Sequence, residues 1–84
     1  MWFVYILLCA DNTYYTGITN DVEKRLSSHN SGKGAKYTRG RAPVMLMFMK
    51  SLPDRGSALK YEFLIKSLRR DDKTKLIEGS DNEI

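Results

Sequence analysis

Two adjacent tyrosines and a glycine in YYTGIT (14–19) lead into VEKRLSSH (22–29), which sets Arg25 and His29 four residues apart. Arginine carries a permanently charged, planar fork that matches phosphate oxygens. On a helix, Val22, Arg25, Leu26 and His29 form one stripe, so packing Val22 and Leu26 against a sheet carries Arg25 and His29 to the edge of that contact. Plainer uses exist for both: Arg25 as a surface cation whose stem covers apolar area, and His29 as a helix-end residue meeting the dipole. Glu62 falls on a helical wheel between Ala58, Tyr61 and Ile65 on one side and Leu59 and Phe63 on the other. A carboxylate inside an apolar arc is costly unless it is paired or binds a metal. An ion pair with Lys66 or Arg69 on the same helix would satisfy it. So would one Mg²⁺, a cation that often takes a single carboxylate and otherwise keeps waters and substrate phosphate. Tyr37, in GKGAKYTRGR, has Lys36 and Arg39 beside it and can hold phosphates, stack bases or fold back onto a core.

The charge pattern around these residues is lopsided. Net charge is +4, and between Lys24 and Pro53 there are seven basic residues (Lys24, Arg25, Lys33, Lys36, Arg39, Arg41 and Lys50) and no acidic one. Such a stretch suits a polyanion, above all nucleic acid through its phosphates, and equally a solvated, solubilising face. Cys9 is the only cysteine, which excludes an internal disulfide and a cysteine-built zinc site and fits a reducing, cytoplasmic setting. The apolar opening MWFVYILLCA lacks a basic leading region and is too short to span a bilayer, so no membrane association is expected.

Something must position these groups. With 84 residues, 42% hydrophobic and 29% charged, the chain makes one small domain with a real core. Residues 2–9 read as a buried strand and 14–19 as a second, joined as a hairpin. A two-residue loop, Asp11-Asn12, would put Tyr5 and Tyr15 on opposite faces. A three-residue loop, Ala10-Asp11-Asn12, sets Leu7 opposite Tyr15 and Tyr5 opposite Gly17, with Asn12 in the left-handed region that asparagine tolerates. We expect the latter, since both rings then share one face and Gly17 leaves room beside Tyr5. Asn20 and Glu23 form a capping box that opens a helix over about 21–30. VMLMFMK (44–50) reads as a third strand, apolar on both faces and well buried. A second helix is expected from Pro53-Asp54 through roughly Arg70, then a short turn over 73–77 capped by Asp71-Asp72. The expectation is an α+β sandwich, β-β-α-β-α, with a three-stranded antiparallel sheet flanked by helices. One domain spans 1–77, with a flexible acidic tail at 78–84.

FVY (3–5), YTG (15–17) and RLSSHNSGKGAKYT (25–38), followed by Glu62 in a helix, resemble the GIY-YIG nuclease domain, and within it the small stand-alone bacterial group, over about residues 2–77. The resemblance implies metal-dependent cleavage of a DNA phosphodiester, in DNA repair or processing, with one divalent ion, Mg²⁺ or alternatively Mn²⁺. Carried over by position, Tyr5 and Tyr15 match the two motif tyrosines, one of them serving as general base toward a water. Arg25 matches the arginine that stabilises phosphate charge, and His29 a position that assists proton transfer or positions the nucleophile. Tyr37 matches a supporting active-site tyrosine and Glu62 the metal-binding glutamate. Lys33, Lys36, Arg39 and Arg41 are the expected nucleic-acid-binding cations. Phe3 stands at the glycine of the first motif and Thr16 at the isoleucine of the second; Asn82 is the only asparagine beyond Glu62. Larger members carry a separate DNA-binding domain, so a targeting protein partner is expected here. The alternative is a nucleic-acid-binding module of the same fold without turnover. Tyrosine is a poor base near neutrality unless cations depress its pKa from about 10. Arg25, Lys36 and Mg²⁺ are the expected source of that field.

Overall fold

The computed structural model of the protein describes residues 1–31 and 40–79. Over them run β1 (Trp2–Leu8), β2 (Tyr14–Thr19), α1 (Val22–Asn30), β3 (Met45–Leu52), α2 (Arg55–Lys66) and α3 (Arg70–Glu78). The strands form one antiparallel sheet in the order β2-β1-β3, the α+β arrangement expected. β1 is central, which explains its unbroken apolar run: Val4, Tyr5, Ile6 and Leu7 are all buried because both faces of the strand are covered.

The hairpin closes over Ala10-Asp11-Asn12. Cys9 N–H donates to Thr13 O (2.8 Å), Asn12 N–H donates to Cys9 O (2.9 Å), and Asn12 takes φ 67°. Leu7 therefore faces Tyr15 and Tyr5 faces Gly17, the register that a three-residue loop dictates. Asp11 stiffens the turn by accepting from the Thr13 hydroxyl at 2.6 Å.

Alternation along β1 sorts its side chains into two clusters. Val4 and Ile6 join Phe48 and Ile65, with Leu76 and Ile77 of α3 packed against them. Tyr5 and Leu7 join Cys9 and Val44, with Tyr15, Leu26 and Leu46. Leu46 and Phe48 are two residues apart yet fall in different clusters. A bulge explains this: Phe48 pairs with Ile6 and Leu46 with Leu7, so Met47 is the extra residue that reverses the alternation of β3.

Four local expectations need correction. The α1 cap is Asp21, whose carboxylate accepts from Lys24 N–H at 3.1 Å, not Asn20. The helix expected through Arg70 ends at Lys66: Leu68 N–H turns back to Ile65 O, Arg69 is extended (φ −69°, ψ 160°), and α3 begins at Arg70. That break brings Leu76 and Ile77 to the core, which one straight helix would carry past the sheet. Asp71 and Asp72 lie within the first turn of α3, where they favour the dipole, and do not cap it. Finally, β3 is an edge strand covering 45–52, with only Phe48 fully buried and Met45 61% exposed. No helix among the described residues is long and apolar enough to cross a membrane. Of the acidic segment expected at 78–84, Glu78 ends α3, Gly79 caps it, and 80–84 lie outside the described residues.

Candidate active site

Three aromatic rings from three elements meet on the α1 side of the sheet. Tyr5 comes from the central strand, Tyr15 from its neighbour and His29 from the last turn of α1. Ring centroids are 6.4 Å apart for Tyr5–Tyr15, 6.1 Å for Tyr5–His29 and 5.2 Å for Tyr15–His29. The Tyr5 hydroxyl oxygen lies 3.1 Å from His29 Nε2. Opposite Tyr5, Gly17 makes this possible. A Cβ there would sit 2.6 Å from the Tyr5 hydroxyl and 3.1 Å from the Tyr15 ring, so only glycine lets the two tyrosines close over the strand.

α1 supplies the rest. Val22, Arg25 and Leu26 line one crevice with Tyr5, Leu7 and Leu46, so the stripe packs as its spacing requires. His29 goes deeper than the edge position expected and is fully buried. Asn30, to which sequence reasoning gave no role, fixes the end of that helix. Its side-chain carbonyl accepts from Val44 N–H (2.7 Å) while its amide donates to Val44 O (3.5 Å), pairing α1 with the start of β3 as a strand would. An asparagine directly after a candidate histidine at a helix end was the available signal.

Of the cations expected to depress Tyr5, Arg25 lies among the described residues, and burial outweighs its pull. Burial raises Tyr5 above the ordinary tyrosine value of 10.0, Arg25 pulls the other way through a hydrogen bond and its charge, and Tyr15 and Glu62 add to the rise. The phenol therefore rests protonated. His29 is lowered from 6.5, first by burial and then by the Arg25 charge, so its imidazole is neutral near pH 7. Arg25 is held charged, chiefly by hydrogen bonding to Tyr5 and also by its contacts with Tyr15. A neutral imidazole can accept the Tyr5 O–H at Nε2.

Glu62, on α2, is half-buried and pairs with Lys66 at 3.4 Å, the i,i+4 partner, rather than with Arg69. Its field reaches Tyr5, so the carboxylate belongs to the same neighbourhood. Arg41 is placed elsewhere: Nη1 donates to the Asp11 carboxylate at 3.0 Å at the hairpin end. Tyr37, Lys33, Lys36 and Arg39 lie outside the described residues. Among the described residues there is no group of three or more His, Cys, Asp or Glu side chains able to hold a metal ion. The donor that remains, the half-buried Glu62 carboxylate, suits a hard cation that completes its shell with water and a phosphate oxygen.

A small antiparallel sheet with its helices, carrying two tyrosines, an arginine, a histidine and a glutamate in this arrangement, defines a class. The sequence matches the GIY-YIG catalytic domain over residues 1–76, and the chain belongs to the GIY-YIG family of nucleases. It is similar to a UPF0213 protein of Nitratidesulfovibrio vulgaris, 51% identical over 73 residues that make up 87% of this chain and 66% of that protein. A UPF0213 protein of Oceanobacillus iheyensis is 48% identical over 81 residues, 96% of this chain and 94% of that one. The solution structure of a UPF0213 protein from Bacillus halodurans has a TM-score of 0.63 and 43% identity, covering 99% of this chain and 89% of that one.

Proposed function

We propose that the domain hydrolyses phosphodiester bonds in DNA, with Tyr5, Tyr15, Arg25 and His29 around the scissile phosphate and Glu62 as the ligand of one Mg²⁺. The observation that carries this reading is the 3.1 Å contact between the Tyr5 hydroxyl and a neutral, buried His29, with Arg25 beside both tyrosines. Family membership supports the reaction class.

A water attacks phosphorus and gives its proton to the Tyr5 oxygen while the Tyr5 proton passes to His29 Nε2. Phosphorus–oxygen cleavage follows on the opposite side. His29 is a weak base because its pKa is lowered, so it takes the proton only as the attacking water becomes acidic at the phosphate. The guanidinium of Arg25 stabilises charge on the non-bridging oxygens, and Tyr15 orients the group from the other ring face. When bound at Glu62, Mg²⁺ supplies positive charge for the departing oxygen. General acid–base positioning of this kind contributes about 10²–10⁴-fold.

Duplex, branched and single-stranded DNA incubated with and without Mg²⁺ test the reading. Cleavage that requires Mg²⁺ and disappears in Glu62→Ala and Arg25→Ala is expected. Salt-sensitive binding with no cleavage, indifferent to Glu62→Ala, would identify a binding module instead.

A further inference from the structure

On the far side of Tyr15 the edge of the sheet opens into a second site. A cleft of about 340 Å³ is lined by Tyr14, Tyr15, Thr16, Lys66 and Lys73. We propose that this cleft holds a backbone phosphate of the cleaved DNA strand, next to the scissile one. The inference rests on the nuclease reading for its substrate and adds a site beyond the residues which that reading uses.

Four observations converge. The two cations come from different helices, Lys66 from the end of α2 and Lys73 from α3, and among the described residues no carboxylate lines the cleft. Thr16 is 4% exposed, and its hydroxyl is buried without a hydrogen-bond partner. An unmet hydroxyl is costly, and a ligand oxygen in the cleft would meet it. The Tyr14 wall is held rigidly: Thr74 donates to Arg70 O (3.1 Å), which leaves the Tyr14 hydroxyl to donate to Thr74 Oγ1 (3.0 Å). Arg70 stacks on the same ring at 4.4 Å and adds a third positive charge to this corner. Lastly, the cleft shares Tyr15 with the candidate active site, and Lys66 bridges to Glu62, so the two sites adjoin at the β2 edge of the sheet.

Binding, measured apart from cleavage, tests this. Fluorescence anisotropy of a labelled 20-base-pair duplex is followed from about 50 to 200 mM salt, where each phosphate contact contributes about 0.9 to the slope of log affinity against log salt. Lys73→Gln is expected to weaken binding about fivefold to tenfold and to flatten the slope by about 1. Lys75→Gln, an exposed α3 lysine away from the cleft, leaves both unchanged. Thr16→Val is expected to raise the melting temperature, because it removes an unmet hydroxyl, and yet to weaken DNA binding; a purely structural role would move the first without the second. Inorganic phosphate at the same ionic strength should not reproduce duplex binding. Lys73→Gln behaving like Lys75→Gln overturns the subsite while leaving the nuclease reading intact. Loss of binding in Lys73→Gln by a protein that never cleaves upholds the subsite and removes catalysis. A wild-type protein that binds no duplex overturns the subsite, while the nuclease reading stands or falls on the cleavage panel.

Discussion

The two faces of β1 are built from alternate residues of one strand, and they are chemically unlike. Val4 and Ile6 enter a cluster made with Phe48 and Ile65, wholly aliphatic and aromatic, with no ionisable group among its buried members. Tyr5 and Leu7, one residue along, enter a cluster into which Tyr15 also packs, with a fully buried histidine beside it. The first face consists of hydrophobic burial and contributes stability in proportion to area. On the second, part of that stability is given up to keep a phenol and an imidazole out of water, where burial holds the phenol protonated and the imidazole neutral. A central strand in so small a domain can serve both purposes because its period is two.

Substitutions on the two faces should separate these roles. The largest effect is expected for Tyr5→Phe, which keeps the packing and removes the hydroxyl: Mg²⁺-dependent cleavage should fall by about 10²–10⁴-fold. Its melting temperature should shift far less than that of Ile6→Ala. The latter, on the other face, empties part of the apolar cluster and should cost about 2–5 kcal/mol in a denaturant titration. Equal losses of activity in the two variants, once both are folded, would erase the distinction. Gly17→Ala should cost stability and activity together on the tyrosine face, because the new Cβ falls 2.6 Å from the Tyr5 hydroxyl. We expect about 1–3 kcal/mol of destabilisation, with activity lost in the fraction that remains folded.

A pH series sharpens the comparison further. An unfolded histidine titrates near 6.5, and the folded His29 lies below that, so the unfolded chain binds the proton first as pH falls. Stability is therefore full above about 6.5 and declines below it, until the pH passes the folded value. The acid limb of the cleavage profile should lie below 6.5 for the same reason, and His29→Gln should abolish both trends. The smallest effect belongs to Lys66→Ala. It removes an exposed i,i+4 pair and should change stability by only about 0.3–0.5 kcal/mol.

Much of this arrangement was legible in the residues. The hairpin register followed from one turn: three residues ending in asparagine fix which side chains share a face, and Tyr5, Tyr15 and Gly17 fell together. The α1 stripe placed Arg25 correctly because 3.6-residue periodicity is local. What failed was non-local. VMLMFMK carries no alternation to read, since the Met47 bulge sends Leu46 and Phe48 to opposite faces, and nothing in an unbroken apolar run marks a bulge. SLRRDD has neither proline nor glycine to announce the break between α2 and α3; Leu76 and Ile77 reach the core only through that break. Arg25 is visible in sequence as a cation that lowers Tyr5, whereas the burial that outweighs its pull is a property of the folded molecule.

Ala10, Asp11 and Asn12 are exposed at the hairpin tip, the kind of place at which insertions and deletions usually pass unnoticed. Here parity forbids it. Gaining or losing a single residue would rotate every β2 side chain by half a turn, driving the Tyr15 phenol toward the aliphatic layer and handing its place to Thr16. A change at this exposed corner, touching neither interior nor catalytic atom, would then dismantle both together.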